Sequence, residues 1–129
     1  MRTGFQAYVR NSADAVEFYL KAFSATLGYH VRNEDGSYLH AEIYLDDQLL
    51  LAVSESSSDL GQESMKRFTP QDYPTMNFGV NLGSEEAVRK AYARLMDGGN
   101  ILLPIGPLPW SSCCANVIDR FGIFWYISV

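Results

Sequence analysis

Two side chains that can exchange protons lie two positions apart near the middle of the chain. His40 and Glu42 fall in an alternating segment, Tyr38 to Leu45, that predicts a β-strand. Because alternate residues of a strand project to the same face, the imidazole and the carboxylate are expected about 7 Å apart along it. Imidazole has an ordinary pKa of about 6.5, close to neutrality. The pair predicts acid–base or substrate-orienting chemistry, two ligands of a metal site, or a plain hydrogen bond at a strand edge or dimer seam.

Neutral amide, phenol and aromatic side chains form a second set of candidate site residues. Such groups suit the orientation of an uncharged or weakly polar organic ligand, and the alternative is a filled core whose polar tips bond to the backbone. Trp110 precedes the seventh strand, where its indole would either form a rim over the ligand or anchor its own loop. The residues that share faces of the first, fifth and last strands are Gln6 with Tyr8, Asn77 with Gly79, and Phe124 with Tyr126.

Other reactive residue types give weaker candidates. Cys113 and Cys114 are adjacent, so they face opposite sides of a strand, and a bridge between them would be strained. A catalytic thiol would need a neighbouring base that the sequence does not identify. The sequence contains no nucleophile elbow, phosphate-binding glycine loop or Cys-x-x-Cys motif. Asp119, at the start of a hairpin turn, is expected to cap that turn through its side chain.

The elements that must position these residues form one pattern that occurs twice. Module one covers about residues 1–54, a linker covers about 55–74, and module two covers about 75–129. Each module reads strand, helix, strand, strand, strand. The pentapeptide at 12–16 (SADAV) resembles the one at 84–88 (SEEAV), and each opens a helix with one apolar stripe. The repeat predicts a single domain that arose by internal duplication.

Local signals predict where several elements begin and end. Asn11 and Ser12 are expected to cap the first helix, which would end near Gly28. Ser84 is expected to cap the second helix, because acidic residues follow it in the first turn. The prolines between residues 104 and 109 predict a bend that ends the sixth strand.

This pattern predicts an α+β fold of two paired βαβββ modules with curved sheets around a cavity. Each module has one helix to cover one face of its sheet, so the other face must be covered by the second module or by a second chain. A ligand site is then expected in the space between the uncovered faces, which would be concave and mostly apolar.

Composition limits the classes of function. Of the 129 residues, 47% are hydrophobic. The chain has 10 Lys and Arg residues and 15 Asp and Glu residues, which gives a formal charge of -5. An acidic chain with no basic stripe is not expected to bind nucleic acid or an anionic membrane surface. The longest apolar run, Leu49 to Val53, is far shorter than the roughly 18 residues that a membrane span needs. Small molecules and proteins remain as partners.

Two features predict a cytoplasmic location. Residues 1–6 lack the apolar core and small-residue cleavage site of a secretory signal. The two adjacent cysteines do not provide a disulfide framework, so a reducing compartment is expected.

Three stretches and one tryptophan resemble a known family, the vicinal oxygen chelate superfamily, and within it the PhnB-like branch. That superfamily includes glyoxalase I, bleomycin and fosfomycin resistance proteins and extradiol dioxygenases. The similar stretches are residues 15–23 (AVEFYLKAF), residues 40–42 (HAE) and residues 119–125 (DRFGIFW), together with Trp110 ahead of the last hairpin. The resemblance implies paired βαβββ modules and a homodimer.

The resemblance also indicates where a metal would be held. Metal-dependent members carry His, Gln or Glu ligands at positions that fall here near Gly4 or Gln6, within residues 50–52, and at Asn77 and Tyr126. Of these, Gln6 is a plausible ligand, whereas residues 50–52 are two leucines and an alanine. A Zn, Mn or Fe centre needs about three converging protein ligands. We therefore expect no metal and no cofactor.

The sequence predicts a PhnB-like protein that binds a small organic molecule in a metal-free cavity. The alternative is a metal-dependent lyase, isomerase or dioxygenase with a non-standard ligand set of His40, Glu42 and Gln6 around one divalent ion. Whether the protein is an enzyme stays open, with His40 and Glu42 as the catalytic candidates. The residues expected to contact the ligand are Gln6, Tyr8, His40, Glu42, Asn77, Trp110, Phe124 and Tyr126.

Overall fold

The computed structural model describes residues 1–56 and 75–129 of the chain, so most of the predicted linker lies outside the described residues. Both modules have the predicted order of elements. Module one contains β1 (Gln6–Val9), α1 (Ser12–Phe23), β2 (Thr26–Arg32), β3 (Tyr38–Leu45) and β4 (Gln48–Glu55). Module two contains β5 (Phe78–Asn81), α2 (Glu85–Leu95), β6 (Asn100–Leu108), β7 (Ser111–Ile118) and β8 (Phe124–Ser128).

Each module forms one mixed four-stranded sheet with the same topology. Sheet one has the strand order β1-β4-β3-β2, and sheet two has the order β5-β8-β7-β6. The first strand of each module pairs in parallel with the last, and the other neighbours pair antiparallel. The predicted α+β fold of two βαβββ modules is therefore confirmed. No helix of the described residues is long and apolar enough to span a membrane.

Two predicted boundaries were wrong. Helix α1 ends at Phe23, because Ser24 adopts a left-handed conformation (φ 52°), and Gly28 lies within β2. The segment predicted as a proline-rich bend belongs to β6, which pairs with β7 through several register shifts. Strand β6 lies at the edge of sheet two, so it has one neighbouring strand. Prolines are tolerated there because the edge has no second neighbour that would need a hydrogen bond from the backbone N–H group.

The two helices begin in different ways. Ser84 caps α2 as predicted, since its hydroxyl accepts a hydrogen bond from the Ala87 amide at 3.2 Å. Helix α1 is capped by the carboxylate of Glu55 at the end of β4, which accepts from the amides of Asn11 (3.1 Å) and Ser12 (2.9 Å). Asn11 itself is in the left-handed conformation and makes no side-chain cap. A side chain distant in the sequence thus replaces the local cap that was predicted.

The two modules share one hydrophobic core. The rings of Tyr19 and Phe23 on α1 lie 5.6 and 5.0 Å from that of Trp125 on β8, and Phe78 of β5 lies 5.0 Å from it. Trp125 is completely buried, and its aromatic contacts include two residues of α1. Helix α1 therefore packs against the core of both modules.

A buried carboxylate joins the modules at this point. Asp119, which is 3% exposed, accepts hydrogen bonds from the Tyr19 hydroxyl at 2.7 Å and the Trp125 indole at 2.8 Å. It also accepts from the amides of Phe121 (2.8 Å) and Ile123 (3.1 Å), which confirms the predicted cap of the hairpin turn. Burial, and then the charge of Asp119, raise the pKa of the Tyr19 hydroxyl far above its usual range.

Stability should fall at alkaline pH because of Tyr19. An unfolded tyrosine ionises near about pH 10, whereas folded Tyr19 keeps its proton, so unfolding becomes easier as the pH rises above that value. We expect the stability of Tyr19→Phe to fall less steeply as the pH rises. At neutral pH the substitution should lower the free energy of unfolding by about 1.5–3 kcal/mol, as for the loss of a hydrogen bond to a charged group. Urea unfolding between neutral and alkaline pH measures both effects. Tyr29→Phe, at an exposed position, is the control, and an equally steep alkaline loss in Tyr19→Phe would contradict the interpretation.

Candidate functional site

Alternation along the strands gives each sheet a core face and a second face without a helix, here called the open face. In sheet one, Ala7, Ile43 and Val53 belong to the shared core. In each of these strands, the residues that alternate with the core residues lie on the open face. Ala52 of β4 pairs with Gln6 of β1 on one side and with Glu42 of β3 on the other. The predicted site residues on this face are Gln6, Tyr8, His40 and Glu42.

His40 and Glu42 are in contact, and a tyrosine extends the pair. Nε2 of His40 lies 3.3 Å from Oε1 of Glu42, and the Tyr44 hydroxyl donates to Oε2 of Glu42 at 2.9 Å. The side chains of His40 and Glu42 are 33% and 24% exposed. The hydrogen bond from Tyr44, and then that from His40, lower the pKa of the Glu42 carboxyl group. These three residues of β3 form what we call the His40–Glu42–Tyr44 relay.

Gly28 makes room for the relay. A Cβ atom built on Gly28 would lie 2.6 Å from Cδ2 of Tyr44, well inside van der Waals contact. A side chain at this position of β2 would therefore push the Tyr44 ring away from Glu42. Tyr44 could have been found from its sequence, because it continues the alternation of His40 and Glu42, whereas Gly28 gave no sequence signal beyond being a glycine.

Gln6 stands apart from this relay. Its amide Nε2 donates to the Ser54 hydroxyl at 2.8 Å. Since Ala52 is the cross-strand partner of both Gln6 and Glu42, these two backbones are about 10 Å apart, twice the spacing between neighbouring strands. Tyr8, two residues further along β1, is 61% exposed. The open face of sheet one thus offers an acid–base group and a separate amide group.

The open face of sheet two carries the remaining predicted residues. Tyr126 on β8 lies between Gly79 on β5 and Asn116 on β7. The Trp110 indole donates to the Tyr126 hydroxyl at 2.9 Å, although the Trp110 side chain is largely exposed. Phe124 is half-buried on the same strand, and Asn77 is exposed just before β5 begins. The structure therefore joins two of the predicted residues, Trp110 and Tyr126, through one hydroxyl group.

Asn116 is a site residue that the sequence analysis missed. Its Oδ1 atom is buried, and no hydrogen-bond partner for it occurs among residues 1–56 and 75–129. Asn116 is the cross-strand neighbour of Tyr126, so its amide belongs to the same open face. A signal was present, because Asn116 is the one amide in the otherwise apolar or small segment Ser111–Ile118.

The two groups of candidate residues lie on different faces of one chain. Helices α1 and α2 pack against each other, and α1 reaches Trp125 on the core face of sheet two. The core faces of both sheets therefore turn toward the helices, and the open faces turn away from the shared core. The sequence left open whether the second module or a second chain covers these faces, and covering by a second chain stays a prediction.

The surface also has a groove that lies outside both open faces. It has a volume of about 600 Å³ and lies between α1, the end of α2 and the β7–β8 turn. Exposed charged side chains line it, such as Glu17 and Lys21, which pair with each other at 2.7 Å. It contains none of the predicted site residues, and we interpret it as solvated protein surface.

Comparison with known proteins identifies the family. The model of the Glyoxalase/Bleomycin resistance protein/Dioxygenase superfamily matches residues 4–127. The chain belongs to this superfamily. An uncharacterised protein of Mycobacterium tuberculosis H37Rv is 25% identical over 117 residues, which cover 91% of this chain and 67% of the relative.

Solved structures show the same fold. The PhnB protein of Bacillus cereus is similar with a TM-score of 0.74 and 19% identity, over 99% of this chain and 98% of that one. A mutant of the fosfomycin resistance protein FosX of Listeria monocytogenes, in a complex with Mn(II) and dihydroxypropylphosphonic acid, has a TM-score of 0.67 and 13% identity, over 99% of this chain and 90% of that one. At these identities the likeness extends to the fold and not to the site.

The positions that hold metals in this superfamily do not form a fitting donor set here. Residues 50–52 offer no polar side chain, the Gln6 amide is bonded to Ser54, and the Tyr126 hydroxyl is bonded to Trp110. The non-standard set fits no better, since Ala52 separates Gln6 from Glu42 and both Glu42 oxygens have partners. Among the described residues, no three His, Cys, Asp or Glu side chains are grouped to hold a metal ion.

The relay can be tested through the carboxyl group of Glu42. Because its hydrogen bonds lower its pKa, Tyr44→Phe should raise that pKa toward the ordinary value, and Gly28→Ala should do the same by displacing the Tyr44 ring. A ¹³C NMR titration of the Glu42 carboxyl measures the change. The stability that this group supplies is present above its ordinary pKa and is lost as the pH falls through the lowered one. Tyr8→Phe, on the same face, should leave the titration unchanged, and an unchanged pKa in both test variants would refute the relay.

Proposed function

We propose that this superfamily member binds a small organic molecule on the open faces of its sheets without a bound metal. The observation that carries the proposal is the unpartnered Oδ1 of Asn116. A buried polar atom without a hydrogen bond costs about 1–3 kcal/mol, which a donor on a bound ligand would recover. Asn116 is only half-buried as a residue, and rotation about its Cβ–Cγ bond can present either end of the amide to the open face.

The neighbours of Asn116 complete a small recognition surface. Because the Tyr126 hydroxyl accepts a hydrogen bond from Trp110, its own proton is available for donation. The exposed indole of Trp110 adds a flat apolar surface beside this donor. A donor, an acceptor and a ring surface together suit a planar molecule with an amide-like donor and acceptor pair, such as an aromatic amide.

A second copy of the chain would cover these faces. Large aromatic side chains that are more than half exposed lie on or beside these faces, namely Tyr8 and Tyr29 on sheet one and Trp110 close to sheet two. Apolar surface of this kind favours contact with another protein surface. We therefore propose a homodimer whose partner subunits close the binding sites, and a cytoplasmic location stays a prediction.

Ligand binding can be followed by fluorescence, because the chain has two tryptophans in opposite environments. Trp110 is exposed and Trp125 is completely buried, so a ligand on sheet two should change the emission of Trp110. Screening aromatic amides and aromatic nitrogen heterocycles should yield compounds whose effect disappears in Trp110→Phe. Asn116→Leu should weaken their binding about tenfold, as expected for the loss of one hydrogen bond.

The control for Asn116→Leu is Asn100→Leu, which changes an exposed amide at the start of β6. A screen in which no compound alters Trp110 emission, or binding that is equally strong in Asn116→Leu, would count against the proposal. Elemental analysis of the untagged protein addresses the metal-dependent alternative. About one divalent ion per chain, lost in His40→Ala or Glu42→Ala, would replace metal-free binding with the enzyme hypothesis.

A further inference from the structure

The two histidines of the chain carry their ring protons on different nitrogens. Nδ1 of His30 lies 2.8 Å from the carbonyl oxygen of Gly28, which can only accept a hydrogen bond. Nε2 of His40 lies 3.3 Å from Oε1 of Glu42, whose carboxyl group is kept ionised by a lowered pKa. The neutral ring of His30 therefore carries its proton on Nδ1, and that of His40 carries it on Nε2.

This tautomer leaves Nδ1 of His40 with a lone pair and no proton. Glu42 holds the ring in this state, and Tyr44 fixes the carboxylate by donating to its other oxygen at 2.9 Å. The His40 side chain is 33% exposed on the open face of sheet one, so small molecules can reach it. His40 thus has the features of an oriented base, with Glu42 and Tyr44 as positioning residues.

We propose that His40 acts as a general base that takes the proton of an aromatic hydroxyl compound bound on the open face of sheet one. The O–H bond of the compound breaks, an N–H bond forms at Nδ1, and the electron pair stays on the oxygen as a phenolate. The Nε2–H group of the resulting imidazolium keeps its contact with the carboxylate of Glu42. The inference rests on the proposed binding of small molecules, but it concerns sheet one rather than sheet two.

The surroundings of His40 favour an aromatic compound. The ring of Tyr29 lies 6.1 Å from the imidazole, centroid to centroid, and Tyr29 is 66% exposed. This phenol ring and the imidazole offer adjacent flat surfaces on which another ring can pack. A hydroxyl group on that ring would then lie close to the imidazole.

The tautomers are tested first, without any ligand. Long-range ¹H–¹⁵N NMR spectra distinguish protonated from bare ring nitrogens, and His30→Gln and His40→Gln assign the two rings. We expect bare Nδ1 in His40 and bare Nε2 in His30. In Gly28→Ala, which displaces Tyr44, the His40 signals should move toward a mixture of tautomers. A His40 ring with its proton on Nδ1 in the unaltered protein would overturn the proposal.

The base is tested with p-nitrophenol, whose phenolate has its own visible absorption. At a pH below the pKa of the free probe, the intact protein should increase the phenolate signal. His40→Gln should abolish the increase, Glu42→Gln should reduce it because a neutral amide holds the Nε2–H tautomer less firmly than a carboxylate, and His30→Gln should leave it unchanged. No increase with the intact protein, or an equal increase in His40→Gln, overturns the proposal. The fluorescence of Trp110 with aromatic amides reports separately on the proposed function, so the two failures are distinguishable.

Discussion

The carboxylate of Asp119 is the interaction on which the arrangement of the two modules depends. It is buried, and it lies where helix α1 of module one meets the last hairpin of module two. A buried charge is tolerated when hydrogen bonds replace its lost hydration, and Asp119 receives four. Two of these come from the turn itself, and the other two come from Tyr19 and Trp125. The same side chain therefore shapes a local turn and holds the modules together.

The rest of the hairpin motif also has a structural role. The Arg120 guanidinium lies 4.9 Å from the centre of the Phe18 ring and donates to the Asp97 carbonyl oxygen at 2.9 Å. Gly122 has a positive φ of 89°, which a glycine adopts without strain. The motif that carries the family resemblance thus explains how the modules join. It does not identify a ligand, whose binding we propose for the open faces on the other side of each sheet.

The elements of the fold could be predicted from sequence because their signals are local. The cap at Ser84 and the face shared by His40 and Glu42 each depend on residues a few positions apart. What the sequence analysis missed depends on distant contacts. The cap at Glu55 lies 43 residues from Ser12, and the contact of α1 with Trp125 joins residues of two different modules. A glycine that makes room for Tyr44 is likewise visible only when two strands are placed side by side.

The stability of Asp119→Asn tests most directly whether this carboxylate joins the modules. An asparagine can still accept from the turn amides, but its NH₂ group would face the Trp125 indole, which can only donate. We predict a loss of about 3 kcal/mol in the free energy of unfolding by urea, since a buried donor is left unpaired beside a disrupted network. Asp47→Asn, at an exposed turn position, is the matched control. An Asp119→Asn protein as stable as the parent would contradict the account.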